Sequence, residues 1–157
     1  MRRKQAKKHI ILPDPKFKDV LVTKFVNNLM LDGKKSVAFR IFYDAMEIIQ
    51  GRIEEGEDGL DVFKKALVNI TPGVEVRSRR VGGATFQIPT PIRDSRKESM
   101  AMKWLISYSK KRNEKTMSQK LAGEIQAAAK EEGAAYKKKE DVHRMAEANK
   151  AFSHFRF

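Results

Sequence analysis

The chain has 157 residues and a mass of 18.0 kDa, the size of one domain with its own hydrophobic core. Its 33 Lys and Arg residues against 20 Asp and Glu residues give a net charge of +13, which favours a polyanionic partner. The absence of cysteine excludes disulfides, thiolate zinc sites and a cysteine nucleophile. No long apolar stretch follows the basic start, so neither a membrane span nor a secretory signal is expected.

Charge is distributed unevenly along the chain. Residues 1–18 contain seven Lys or Arg residues and one Asp, and no hydrophobic periodicity precedes Pro13, so we predict a basic N-terminal arm. Residues 44–61 reverse this balance, with seven acidic residues against one Arg, and this region is expected to face away from a polyanion. Residues 19–157 are predicted to form a single helical domain.

Hydrophobic spacing predicts helices on both sides of a single β-hairpin. The first predicted helix carries Leu21, Phe25 and Leu29 at intervals of four and stops at residues 32–33. The second runs over residues 37–49, and the third starts near residue 60 and ends before Pro72, because the residue preceding a proline disfavours helix. Three more are predicted near residues 95–111, 118–133 and 138–152, the first of them with Trp104 on its apolar stripe.

Alternation of residue types over residues 74–88 predicts the β-hairpin, turning at Gly82 and Gly83. One face of the first strand would carry Glu75, Arg77 and Arg79. The opposite face would carry Val74, Val76, Ser78 and Arg80. Beyond Val76 the strands offer too little apolar surface to anchor the fold, so the tip is interpreted as a phosphate-contacting or base-stacking element. The alternative is a solvated edge hairpin protected by charge.

Other basic clusters allow two interpretations. Lys34 and Lys35 follow the predicted end of helix one, where they could stabilise the helix dipole or contact phosphate. The bases near residues 110–115 could be a solvated helix end, but several separate basic patches are better explained by binding. Phe152 and Phe155 lie among C-terminal bases and could either stack on nucleobases or dock on the domain.

Catalytic and metal signals are sparse. His143 and Glu147 lie four residues apart, but no third ligand is spaced to join them. The sequence has no phosphate-binding loop of the P-loop type and no metalloprotease or hydrolase motif. We therefore expect no enzyme, no metal site and no cofactor.

Four segments, residues 12–17, 24–36, 74–89 and 138–152, resemble the bacterial form of small-subunit ribosomal protein seven. The resemblance implies about six helices with a protruding hairpin, in the head of the small subunit of cytoplasmic ribosomes. It also implies binding to the 3′ major domain of 16S rRNA, an early role in head assembly, and contacts with small-subunit ribosomal proteins nine and eleven. Some relatives repress translation of their own message.

The resemblance also implies two sets of contact residues. Residues expected to face rRNA are Arg2, Arg3, Lys4, Lys7, Lys8, Lys16, Lys34, Lys35, Arg77, Arg79, Arg93, Arg96, Lys110, Lys111 and Arg112. Residues expected to border the exit-site tRNA and the mRNA exit path are Arg79, Arg80, Val81, Gly82, Gly83, Arg144, Met145 and Asn149.

Two other functions are compatible with a basic helical chain. A DNA-binding regulator would place one basic recognition helix in a major groove, usually as a dimer. Scattered basic patches fit irregular folded RNA better. An RNA-modifying enzyme would need a catalytic triad, metal cluster or cofactor loop, and the sequence shows none.

Overall fold

The computed structural model describes residues 9–53 and 58–155, and this part of the chain is mainly helical. Its α-helices are α1 (Val20–Leu29), α2 (Lys35–Gln50), α3 (Gly59–Ile70), α4 (Asp94–Lys110), α5 (Met117–Ala129) and α6 (Gly133–Ala148). A 3₁₀ helix, Lys150–Phe155, follows α6, and the strands β1 (Val74–Val81) and β2 (Ala84–Pro91) form an antiparallel pair. The predicted fold class, mainly α with one β-hairpin, is confirmed. Residues 1–8 of the predicted arm and residues 54–57 of the acidic segment lie outside the described residues.

Polar side chains cap several helix N-termini. The carboxylate of Asp19 accepts a hydrogen bond from the Leu21 amide at 2.8 Å, and Asp58 caps α3 in the same way. Thr116 and Gln119 form a reciprocal capping box at the start of α5. These local contacts satisfy amides that would otherwise lack partners, so they fix where the helices begin.

The chain divides into two compact units, residues 1–40 and 41–157. In the first unit, α1 buries Val22, Phe25 and Val26, which occur at helical spacing. In the second, α5 packs against α3, α4 and α6 and buries an apolar stripe that includes Leu121 and Ile125.

Three predicted helix boundaries are wrong. The fifth helix ends at Ala129 rather than near Gly133, because Glu131 and Gly133 adopt positive φ angles of 62° and 87° and turn the chain. The sixth therefore begins at Gly133, five residues before the predicted Lys138, and it ends at Ala148. The predicted continuous helix to Phe152 is replaced there by the 3₁₀ helix.

Two features of the packing are not apparent from the apolar pattern. Trp104 is half-buried, whereas its α4 neighbours Leu105 and Ala101 are buried. In the hairpin, Val76 is only half-buried, and the buried positions are Glu75, Ile88 and Pro89. The hairpin base is thus anchored by the second strand and by a carboxylate, which alternation along the first strand does not reveal.

Candidate nucleic-acid interface

The strand register sorts the hairpin side chains into two faces. Glu75 pairs with Thr90, Arg77 with Ile88, and Arg79 with Phe86, so these six residues share one face. Because Ile88 and Glu75 are buried, this face is directed inward at the hairpin base. The predicted grouping of Glu75, Arg77 and Arg79 agrees with the observed register.

The hairpin tip is open to solvent. Arg80, Gly82 and Gly83 are exposed, and Val81 is half-buried. Both glycines have positive φ, 56° and 90°, as the two central residues of a type I′ turn require. A Cβ placed on either glycine would meet no atom within 4 Å, so a ligand could approach this backbone closely.

An aromatic cluster joins the second strand to the C-terminal 3₁₀ helix. The ring of Phe86 lies 5.2 Å from that of Phe152 and 5.5 Å from that of Phe155, measured between centroids. Arg79 Nη1 donates a hydrogen bond to the Phe155 carbonyl oxygen at 2.7 Å. Of the two interpretations of these phenylalanines, the structure shows docking. The sequence near Arg79 does not predict this hydrogen bond, because the Phe155 carbonyl lies 76 residues away in the chain.

Helix α6 contacts both strands of the hairpin. On this helix Arg144 and Met145 are exposed, and Asn149 follows at the C-cap, where its side-chain amide donates to the Met145 carbonyl. The structure therefore brings the two predicted tRNA- and mRNA-proximal segments, the hairpin and late α6, onto contacting elements.

His143 tethers α6 to the start of the hairpin. Its Nε2 accepts a hydrogen bond from the Gly73 amide at 3.1 Å, so this nitrogen is unprotonated. Burial, together with the charge of Lys139, lowers the pKa of His143 and favours that neutral form. Glu147 pairs instead with Lys150. Within residues 9–53 and 58–155, no group of three His, Asp or Glu side chains is arranged to hold a metal ion.

At the hairpin base, Arg77 and Arg96 both contact the buried carboxylate of Glu75. Arg96 lies in the first turn of α4, and Arg93 is the exposed N-cap residue of that helix. The structure thus brings two predicted rRNA-contacting arginines together around an acidic residue that the sequence patterns did not single out as functional. The hint available in the sequence is an acid at an inward position of an otherwise basic strand.

Arg112 has a different environment. Its Nε donates to Glu114 at 2.9 Å and its Nη1 to Glu124 at 2.9 Å. Burial alone would lower the pKa of Arg112, but hydrogen bonds from its guanidinium to these two carboxylates outweigh that effect and raise the pKa. Glu124 also accepts from the Ala135 amide at 2.8 Å, so this predicted rRNA contact lies in a network that connects α5 with the start of α6.

The other predicted rRNA contacts within the described residues are exposed. Lys110 and Lys111 lie at the C-terminal end of α4, where their charge favours the helix dipole. Lys35 is the first residue of α2, not part of the C-terminal end of α1, so a dipole-stabilising role for it is excluded. Lys16 lies in an exposed turn, and the exposed Lys34 directly precedes α2. Arg2, Arg3, Lys4, Lys7 and Lys8 lie outside the described residues.

Comparison with known proteins identifies the family. The family described as ribosomal protein S7p/S5e matches residues 1–150. The chain belongs to this family. Small ribosomal subunit protein uS7 of Flavobacterium psychrophilum is 66% identical over 158 aligned positions that cover 100% of both chains. The proteins of the same name from Christiangramia forsetii and Bacteroides fragilis are 68% and 58% identical over the same full coverage.

Family membership confirms the resemblance seen in the sequence. The protein is a structural component of the small ribosomal subunit, acts in translation in the cytoplasmic ribosome, and is not an enzyme. Its partners are accordingly ribosomal RNA and the ribosome. Among the described residues, no helix combines the length and the apolar character that a membrane span requires.

Proposed function

We propose that the protein binds the 3′ major domain of 16S rRNA, nucleates assembly of the small-subunit head, and lines the exit-site tRNA and mRNA exit region. The observation that carries this proposal is the separation of exposed cations along α4. Arg93 and Arg96 lie at its start and Lys110 and Lys111 at its end. A helix of 17 residues is about 25 Å long, twice the ~12 Å width of a DNA major groove.

This spacing favours folded RNA over duplex DNA. A recognition helix inserts one end or one face into a groove, whereas cations at both ends of α4 suit phosphates of separate RNA segments. The hairpin and the end of α6 add exposed Arg80 and Arg144 on contacting elements. Each phosphate contact releases counterions, so many modest contacts add up to strong, salt-dependent binding.

The proposal assigns the hairpin tip to the exit-site region. Its open glycine backbone and exposed Arg80 can approach a nucleic-acid strand closely, and the exposed Arg144 and Met145 lie on the helix that contacts the hairpin. Small-subunit proteins nine and eleven are the proposed protein neighbours. Cross-linking within reconstituted subunits would identify them.

Binding selectivity tests the proposal most directly. At physiological salt, we expect much tighter binding to a 3′ major domain transcript than to a scrambled RNA of equal length or to duplex DNA. The logarithm of the affinity should fall steeply and linearly with the logarithm of salt concentration. Equal affinity for all three nucleic acids would contradict the proposal, and a preference for duplex DNA would support a DNA-binding regulator.

A second experiment tests the tip. Replacing residues 80–84 with a short neutral turn should leave helix content and melting temperature nearly unchanged, since the buried hairpin residues lie at the base. The variant should enter small subunits but alter exit-site tRNA retention or reading-frame maintenance. Normal retention and frame maintenance would show that the tip is only a solvated edge.

A further inference from the structure

Glu75 is a buried carboxylate in an otherwise basic strand. Its side chain is 9% exposed, although it lies one residue from the start of β1. A buried carboxylate is costly unless charged partners and hydrogen bonds compensate for its lost hydration. The contacts of this residue therefore indicate why an acid stands there.

Two arginines supply that compensation, one to each carboxylate oxygen. Arg77 Nε and Nη2 both lie 2.6 Å from Oε1. Arg96 Nε and Nη2 lie 3.1 Å and 3.0 Å from Oε2. Each guanidinium thus uses its Nε–Nη2 edge on Glu75, which leaves the Nη1 edge directed away from the carboxylate.

The two arginines stay accessible although their partner is buried. The side chain of Arg77 is 54% exposed and that of Arg96 is 53% exposed. Arg77 comes from β1 and Arg96 from α4, and the carboxylate of Glu75 holds both in place. The cluster of two arginines and one glutamate has a net charge of +1. Because free arginine side chains lose much rotamer entropy on binding, guanidiniums held in advance bind an anion at a smaller entropic cost.

Glu75 stays ionised in this setting. Burial alone would raise its pKa, but hydrogen bonds from Arg96 and Arg77 and their positive charges lower it below the ordinary glutamate value. Stability by itself does not explain the cluster, since apolar residues often replace buried ion pairs without loss of stability.

We propose that Glu75 is a positioning residue that holds Arg77 and Arg96 as a paired guanidinium site for a phosphate of a nucleic-acid backbone. This inference rests on the proposed RNA-binding function. It adds that the affinity of this surface depends on an acid, which a charge count would treat as unfavourable for binding RNA.

The experiment compares two variants that change the net charge equally. Glu75→Gln replaces one acceptor oxygen with an amide NH2 donor, so the side chain can no longer accept from one arginine at each of two oxygens. Asp94→Asn removes a carboxylate from the same region, in the first turn of α4, but its partner is Lys97. Long-range attraction alone predicts tighter RNA binding for both variants. Positioning predicts about five- to tenfold weaker binding for Glu75→Gln, with a salt slope shallower by about one, and no weakening for Asp94→Asn.

Two further variants separate positioning from folding. In an Arg77→Gln, Arg96→Gln background, Glu75→Gln should cause no further loss of affinity. Arg96→Lys keeps the charge and replaces a half-exposed side chain, so it should fold, yet it should bind RNA more weakly because an ammonium lacks the planar fork. This variant tests the site even if Glu75→Gln unfolds.

The outcomes separate this inference from the proposed function. Equal RNA affinities of Glu75→Gln and Asp94→Asn would overturn it. So would a loss of RNA affinity from Glu75→Gln that is as large in the Arg77→Gln, Arg96→Gln background as in the wild type. Wild-type RNA affinity of Arg96→Lys would also overturn it. Measuring every variant on the 3′ major domain transcript and on a scrambled RNA keeps the two questions apart. If the wild type binds both RNAs equally, the proposed function fails, and the effect of Glu75 on phosphate binding can still be measured.

Discussion

Two arginine–glutamate clusters within residues 9–53 and 58–155 have opposite arrangements. In the first, at the hairpin base, the carboxylate of Glu75 is buried and two arginines extend into solvent. In the second, formed by the segment after α4 and by α5, Glu124 is 1% exposed, Glu114 is 34% exposed, and the single Arg112 between them is 32% exposed. The first cluster carries a net charge of +1 and the second a net charge of −1.

The difference shows that exposed charge decides what an arginine can do. The Arg112 guanidinium donates from Nε and Nη1 to two carboxylates, whereas the two arginines at the hairpin base donate to one carboxylate. Glu124 also accepts the Ala135 amide, so the second cluster holds the backbone of α6 in place. We interpret the first cluster as a binding element and the second as a structural one.

Removing Glu124 should have the largest effect on stability. Glu124→Ala leaves the Ala135 amide and the Arg112 guanidinium without their shared acceptor, which should lower the free energy of unfolding by about 2–4 kcal/mol. Urea unfolding measures this. The control Glu147→Ala removes one partner of an exposed pair with Lys150 and should change stability by less than about 1 kcal/mol. Equal effects of the two changes would contradict a structural role for the second cluster.

Matched substitutions of the arginines sharpen the comparison. Arg112→Met should destabilise the fold by about 1–3 kcal/mol, because the buried Glu124 carboxylate loses its ion pair. Arg77→Met should lower the free energy of unfolding by less than about 1 kcal/mol, since Arg96 still contacts Glu75. RNA affinity of the folded proteins should change in the opposite order, with the greater loss for Arg77→Met. A greater loss for Arg112→Met would restore Arg112 as an rRNA contact.

The aromatic cluster tests whether the hairpin base depends on the C-terminal 3₁₀ helix. Phe152→Ala removes a half-buried ring that contacts Phe86. It should lower the free energy of unfolding by about 1–2 kcal/mol, less than the loss of a fully buried phenylalanine. Hydrogen exchange should accelerate near Phe86 but not near Glu75, which lies at the other end of the hairpin. Val68→Ala, at an exposed site on α3, should leave exchange in the hairpin unchanged. Faster exchange at the base would show that the 3₁₀ helix also supports the binding cluster.

The smallest effect expected is a pH dependence at the hairpin base. The pKa of His143 is lowered in the folded protein by burial and by Lys139, so the unfolded chain binds a proton more readily. The contribution of His143 to stability is therefore fully present above the unfolded pKa of about 6.5. It is lost as the pH falls through the lower folded pKa. The Gly73 hydrogen bond that is lost is worth at most about 1 kcal/mol. The melting temperature of wild type should fall more between pH 7.5 and 5.5 than that of His143→Gln, and parallel profiles would exclude this contribution.

Local signals in the sequence determined the helices and the hairpin. Apolar residues at intervals of three and four marked α1 to α3, and Pro72 marked the end of α3 within two residues. The adjacent Gly82 and Gly83 located the turn. Such features are predictable because backbone geometry and burial of one face depend on neighbours within a few residues. The start of α6 was missed, because the positive φ of Glu131 is a conformation that a glutamate seldom adopts and its residue type does not indicate.

Tertiary structure alone decided which cations remain available. The sequence supplied positive charge at Arg77, Arg96 and Arg112 but no sign that the last lies between two carboxylates. Glu75 and Arg96 are 21 residues apart, and Phe86 and Phe152 are 66 apart, yet both pairs are in contact. Charge and hydrophobicity are properties of single residues, whereas the partner of a side chain depends on which elements pack together. The sequence therefore determined the excess of positive charge that suits a polyanionic partner. The packing of the hairpin against α6 and the 3₁₀ helix, together with the ion pair between Glu75 and Arg96 of α4, decided the surroundings of each hairpin arginine.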